Sequence, residues 1–107
     1  MKNVLTIAGF DPSSGAGVSR DLDTFFSLGL HGVAVPTSIV VQGPQGVQDI
    51  HPLPYVAFKA MLSSIQEETK VNGVKVGVLR NEQYVEALSN YLPEYPEIPV
   101  VVDPVLT

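Results

Sequence analysis

Short runs rich in Val, Ile and Leu alternate along this chain with stretches of helical period, and that alternation most narrowly limits its fold. Residues 3–9, 32–42, 74–79 and 98–103 read as strands, each a nearly continuous apolar run of the sort buried on both faces. Between the first two, Val18, Leu22, Phe25 and Phe26 fall at i, i+4, i+7 and i+8, one face of a helix. Asp21 and Asp23 lie in its early turns, and Gly29 is placed to stop it. A second helix is predicted from about residue 54, with Tyr55, Phe58, Met61, Leu62 and Ile65 on its apolar side. Asn81 is positioned to cap a third, with Tyr84, Val85, Leu88 and Leu92 inward. Pro36 predicts an edge or a bend in the second strand, and residues 43–54 read as loop with a short extra strand at 47–50. Strands joined by helices in this way imply βαβ units and an α/β fold with a mostly parallel sheet.

A chain of 107 residues holds one domain at most. Its 45% hydrophobic and 16% charged content excludes a disordered chain. Six Lys and Arg against eleven Asp and Glu give a net charge of -5, which argues against nucleic acid or an anionic membrane as the main partner. With no cysteine there is neither a disulfide framework nor a thiolate metal site. Asp11 and Pro12 cut the first apolar run too short for a signal peptide, and no run approaches the ~20 residues of a membrane helix. The expectation is a soluble, cytoplasmic protein.

Right-handed crossovers place ligand-facing loops at the carboxyl ends of the strands. Those ends are residues 10–17, from 42 onward, around Arg80 and from 103 onward, which nominates Asp11, Gln42 and Asp103. The glycine-rich stretch Gly15-Ala16-Gly17-Val18-Ser19-Arg20 lacks the third glycine of a dinucleotide loop and the lysine of a P-loop. Taken singly, the candidates have plainer roles. Asp11 with Ser13 reads as an Asx turn, Asp21 as a helix N-terminal acid, Gln42 as a solvated strand end and Asp103 as a turn cap. His31 and His51 read as surface residues with no acid partner close by, while Lys75 begins a strand and its pairing with a carboxylate stays open in the sequence.

A longer pattern is more informative. Thr6-Ile7-Ala8-Gly9-Phe10-Asp11-Pro12-Ser13-Ser14-Gly15-Ala16-Gly17 with Asp21-Leu22 resembles the opening of the hydroxymethylpyrimidine and phosphomethylpyrimidine kinases of thiamine biosynthesis. Further words follow in the same order: Thr24-Phe25 with Leu28-Gly29 and Gly32; Val41-Gln42 with Gly46-Val47-Gln48; Lys75-Val76-Gly77-Val78-Leu79; and Val102-Asp103-Pro104-Val105. The resemblance spans the chain. It implies a ribokinase-like, Rossmann-like three-layer fold that transfers the γ-phosphoryl of ATP, with Mg2+, to 4-amino-5-hydroxymethyl-2-methylpyrimidine and then to its monophosphate. Asp21 and Gln42 match the side chains that hold the pyrimidine; a carboxylate can accept from the amino group, and an amide can serve both a donor and an acceptor. Gly9 and Ala16 match positions where the ring lies against backbone, Val40, Val78 and Val105 match apolar walls, and Asp103 matches the acid facing the phosphate and Mg2+.

Arg20, Val78, Arg80 and the stretch Gly43-Pro44-Gln45 depart from the family's usual residues, which bears on substrate preference. Arg20 is placed to pair with Asp21 or with a phosphate. The expectation is that residues 1–107 are the N-terminal, substrate-binding part of a single kinase domain, the ATP-binding C-terminal part and catalytic base being absent. The partners expected are a small pyrimidine and either a further copy in a homo-oligomer or the missing C-terminal half. The alternatives are a pyridoxal kinase-like enzyme and a non-catalytic pyrimidine-binding half or split-enzyme subunit.

Overall fold

The computed structural model describes residues 2–77, 79, 82–92 and 97–102, without the side chains of residues 42 and 43. The expectations for Val78, Arg80, Asn81, Asp103 and Val105 therefore fall outside the described residues. In chain order the elements are β1 Asn3–Phe10, α1 Gly17–Ser27, β2 His31–Gly43, β3 Gly46–Pro52, α2 Tyr55–Glu68, β4 Gly73–Val76, α3 Glu82–Tyr91 and β5 Val100–Val102. The strands form one sheet of order β3-β2-β1-β4-β5. β1 runs parallel to β2 and β4, and β4 parallel to β5, whereas the β2–β3 hairpin is antiparallel. The mostly parallel α/β sheet expected from the alternation is thus present.

β1 lies at the centre because it can be buried on both faces: Leu5, Thr6, Ile7 and Ala8 are all buried. Successive residues point to opposite faces, and the two helical layers divide along that alternation. Leu5 and Ile7 join Val35, Phe58, Leu62, Val74, Val76, Tyr84 and Leu88 in the main core beneath α2 and α3. The Phe58 and Tyr84 rings meet at 4.5 Å, and the Tyr84 hydroxyl donates to the Leu53 carbonyl, tying α3 to the entry of α2. Burial pushes the Tyr84 phenol above its ordinary pKa of 10.0, which favours the protonated donor form.

The other face carries α1. Leu22 and Phe25 lie against Gly32, where a Cβ would come 2.6 Å from a Leu22 methyl carbon. The helix ends as Gly29 predicts: at φ +75° its N–H donates to the Phe26 carbonyl, while the Leu30 N–H donates to Phe25, the paired bonds of a Schellman motif. Phe26 does not belong to the buried face expected of it and is 80% exposed. It projects roughly 80° from Val18 around the helix, whereas buried Asp21 lies on the other side of the stripe. The stripe is rotated toward the polar group that finds partners in the sheet. Val85 is likewise exposed on α3, where Ala87 and Tyr91 complete the inward face with Tyr84 and Leu88.

Pro36 marks a bend, not an edge. β2 is an interior strand, and one extra residue enters it between the pairs Ala8–Pro36 and Phe10–Ile39, the irregularity expected where a ladder N–H is missing. The extra strand expected at 47–50 is longer, Gly46–Pro52. It also corrects the expectation for His51: Asp49 and His51, two apart on one strand face, form a pair at 2.9 Å between largely exposed side chains. Among the described residues, β5 is an edge strand, with Val101 and Val102 about 60% exposed.

Candidate functional site

From β1 the chain turns first to β2 and then crosses back to β4. Neighbouring strands whose connections leave in opposite directions open a crevice at their carboxyl ends, the usual ligand position in such sheets. Here those ends are Gly9–Phe10 and Gly77. The Gly77 N–H extends the pairing with a 2.8 Å bond to the Ile7 carbonyl, and a Cβ on Gly77 would sit 2.8 Å from that of Ala8. Glycine at position 77 thus lets the end of β4 pack closely against Ala8.

The loop after β1 is built from its own polar side chains. Asp11, the Asx turn read in the sequence, accepts at Oδ1 from the Ser13 N–H at 2.9 Å and the Ser13 hydroxyl at 2.7 Å, and its carbonyl accepts from Ser14 N–H and Ser19 Oγ. The Ser13 hydroxyl and N–H hold its carboxyl below the ordinary value of 3.8. The folded pKa being depressed, this support for the loop is present above the ordinary value and fades as pH falls through the folded one. The loop closes by a bridge between Phe10 and Gly17, which brings Ala16, the exposed N-cap of α1, beside the end of β1.

Gly9 and Val40, both expected in the pocket, do meet: a Cβ built on Gly9 would lie 3.3 Å from Val40 Cγ2 and 3.0 Å from Ser38 Oγ. Gln42 stands two residues beyond Val40, its backbone paired with Val47 near the tip of the hairpin.

Asp21 is placed differently. It lies beyond the first turn of α1, which holds no acid, so the plain role of a helix N-terminal carboxylate does not apply. Its Oδ2 accepts from Thr6 Oγ1 at 2.6 Å, and its Oδ1 pairs with Lys75 Nζ, so Lys75 does reach a carboxylate. Thr6 and Lys75 are register partners in β1 and β4. The Asp21 side chain is 9% exposed, so Lys75, not the adjacent Arg20, balances its charge. Strand alternation puts this cluster on the α1 face and the Gly9–Val40 contact on the α2 face, with the end of β1 between them. Thr6 and Ser38 were not singled out by sequence reasoning. An isolated hydroxyl in a continuous apolar strand, as at Thr6, is the signal that points to a polar partner across the layer.

Among the described residues no three His, Cys, Asp or Glu side chains come together to hold a metal ion. A cavity between α2 and α3 includes Lys59, Gln66 and Asn90 and lies away from the strand ends.

This mostly parallel α/β sheet, with its switch point at the carboxyl end of β1, has ribokinase-like kinases as its structural neighbours. The phosphomethylpyrimidine kinase of Clostridium difficile superposes with a TM-score of 0.91 at 33% identity, over 99% of this chain and 46% of that one. The Staphylococcus aureus pyridoxal kinase in complex with AMP-PCP and pyridoxal superposes with a TM-score of 0.89 at 34% identity, over 99% and 40%. The chain belongs to the phosphomethylpyrimidine kinase family, whose model matches residues 11–107. It is 42% identical over 105 residues to the hydroxymethylpyrimidine/phosphomethylpyrimidine kinase of Staphylococcus aureus, covering 98% of this chain and 38% of that protein. It therefore spans well under half the length of the curated relatives it matches.

Proposed function

We propose that this chain is the acceptor-binding part of an ATP-dependent kinase of 4-amino-5-hydroxymethyl-2-methylpyrimidine and its monophosphate. The observation that carries this is the crevice at the carboxyl end of β1, where Gly9, Ala16 and Val40 gather at the positions that match the family's pyrimidine site. A flat ring needs such a place: backbone on one side, an apolar wall on the other and a few polar groups at its rim. Gln42, and Asp21 beneath the loop, supply those polar groups, with Val78 and Val105 as further walls. An ionised carboxylate has about four acceptor sites, so Asp21 can accept from an amino group while retaining Thr6 and Lys75.

ATP and Mg2+ enter through family membership. The described residues bring together no donor set for the metal, and Asp103 lies outside them. The remaining length of the relatives is where the donor site and base belong, and the exposed valines of β5 are the natural edge for it to cover.

A pyridoxal kinase is the second possibility, favoured by the close superposition on a pyridoxal complex. Both acceptors offered side by side to the natural polypeptide decide between them, since specificity is a ratio of kcat/KM values. The aminopyrimidine is expected to win by at least tenfold, because a site made to hydrogen-bond one ring's polar edge rejects a ring that leaves those groups unpaired. A ratio favouring pyridoxal would reassign the acceptor.

A further inference from the structure

Given the acceptor site proposed above, we infer that the Ser38 hydroxyl is a further ligand-binding group within it, donating a hydrogen bond to a ring nitrogen of the acceptor. Ser38 is 8% exposed. Its Oγ lies 3.0 Å from where a Cβ on Gly9 would stand, beside the Val40 methyl at 3.3 Å. The hydroxyl thus lies close against Gly9, at the carboxyl end of β1. It has no hydrogen-bond partner among the described residues, yet it is not sealed from solvent. With no protein partner, the hydroxyl makes no internal hydrogen bond that an Ala at this position would lose. A hydroxyl retained there, open toward a crevice with backbone and apolar walls, is suited to an acceptor atom arriving from outside. Thr37 is also buried, but no contact places its hydroxyl against Gly9.

The chemistry favours a heteroaromatic nitrogen. A serine hydroxyl can donate one hydrogen bond while accepting others, and an aminopyrimidine presents ring-nitrogen acceptors beside its amino donors. Ser38 therefore complements Asp21 and Gln42, adding a donor on the α2 side of the ring.

The test is S38A in the natural polypeptide, with KM for the aminopyrimidine, KM for ATP, kcat and Tm measured together. The expected result is a three- to tenfold rise in KM for the pyrimidine, with kcat and KM for ATP unchanged. Tm should be unchanged or higher, because no internal hydrogen bond is removed. G9A should raise the same KM at least as much by filling the space before the hydroxyl. An unchanged pyrimidine KM in S38A would overturn the assignment while leaving the kinase reading intact. A fall in Tm with both KM values rising together would also overturn it, since that marks a structural role. Failure of the wild type to phosphorylate or bind any aminopyrimidine would overturn the kinase reading, and this assignment with it.

Discussion

Lys75→Met is expected to destabilise the protein by about 3 kcal/mol, the usual cost of leaving a buried carboxylate without its counter-ion. The side chain of Asp21 is 9% exposed and that of Lys75 28%, so the two partners are not equivalent. Once Lys75 is gone, Asp21 keeps only the Thr6 hydroxyl among the partners described for it. Asp21→Asn is milder, about 1–2 kcal/mol: the amide oxygen can still accept from Thr6, and the lysine, more open, can lean toward solvent. The double variant removes both charges and should be roughly 2 kcal/mol more stable than Lys75→Met alone. Denaturant unfolding of all four proteins gives the cycle. Strictly additive losses would mean that the pair is not coupled and that Asp21 is held by its neighbours regardless of charge.

Gly17→Ala should be at least as damaging and should also abolish acceptor binding. Gly17 has φ +73°, and a Cβ there would lie 2.1 Å from the Gly9 carbonyl oxygen and 3.1 Å from its carbon. Both obstacles are backbone, so nothing flexible can yield. Either the Phe10–Gly17 bridge opens or β1 shifts, and both dismantle the loop that brings Ala16 to the crevice. A loss of about 3 kcal/mol or more is expected, the left-handed backbone alone accounting for about 1–2. Gly29→Ala is the control, because its φ is +75° but nothing lies within 4 Å; it should cost only about 1 kcal/mol and leave binding intact. Equal losses at the two positions would show that the clash at Gly17 is relieved without cost.

Much of the fold was legible because each β-branched run needs burial on two faces, and helical period marks what covers it. Gly29 and Pro36 announced a helix end and a bend through backbone chemistry that acts locally. The faces of α1 and α3 were read less well. Phe26 and Val85 sit beside the buried stripes, and hydrophobicity alone could not show that Asp21, Ala87 and Tyr91 would complete them. Asp21 turns inward because Thr6 and Lys75 meet it from β1 and β4, and that depends on strand order, which no local pattern contains. The site divides in the same way. The loop at residues 10–17 could be read as a unit, whereas the meeting of Gly9 with Ser38 and Val40 depends on the register of β1 against β2 after its irregularity.

The most direct test is amide NMR of the protein during titration with 4-amino-5-hydroxymethyl-2-methylpyrimidine. The largest shifts are expected at Gly9, Ala16, Gly17, Ser38 and Val40, around the end of β1. Shifts centred instead on Lys59, Gln66 and Asn90, in the groove between α2 and α3, or no shifts at saturating ligand, would contradict the placement of the acceptor site at the carboxyl edge of the sheet.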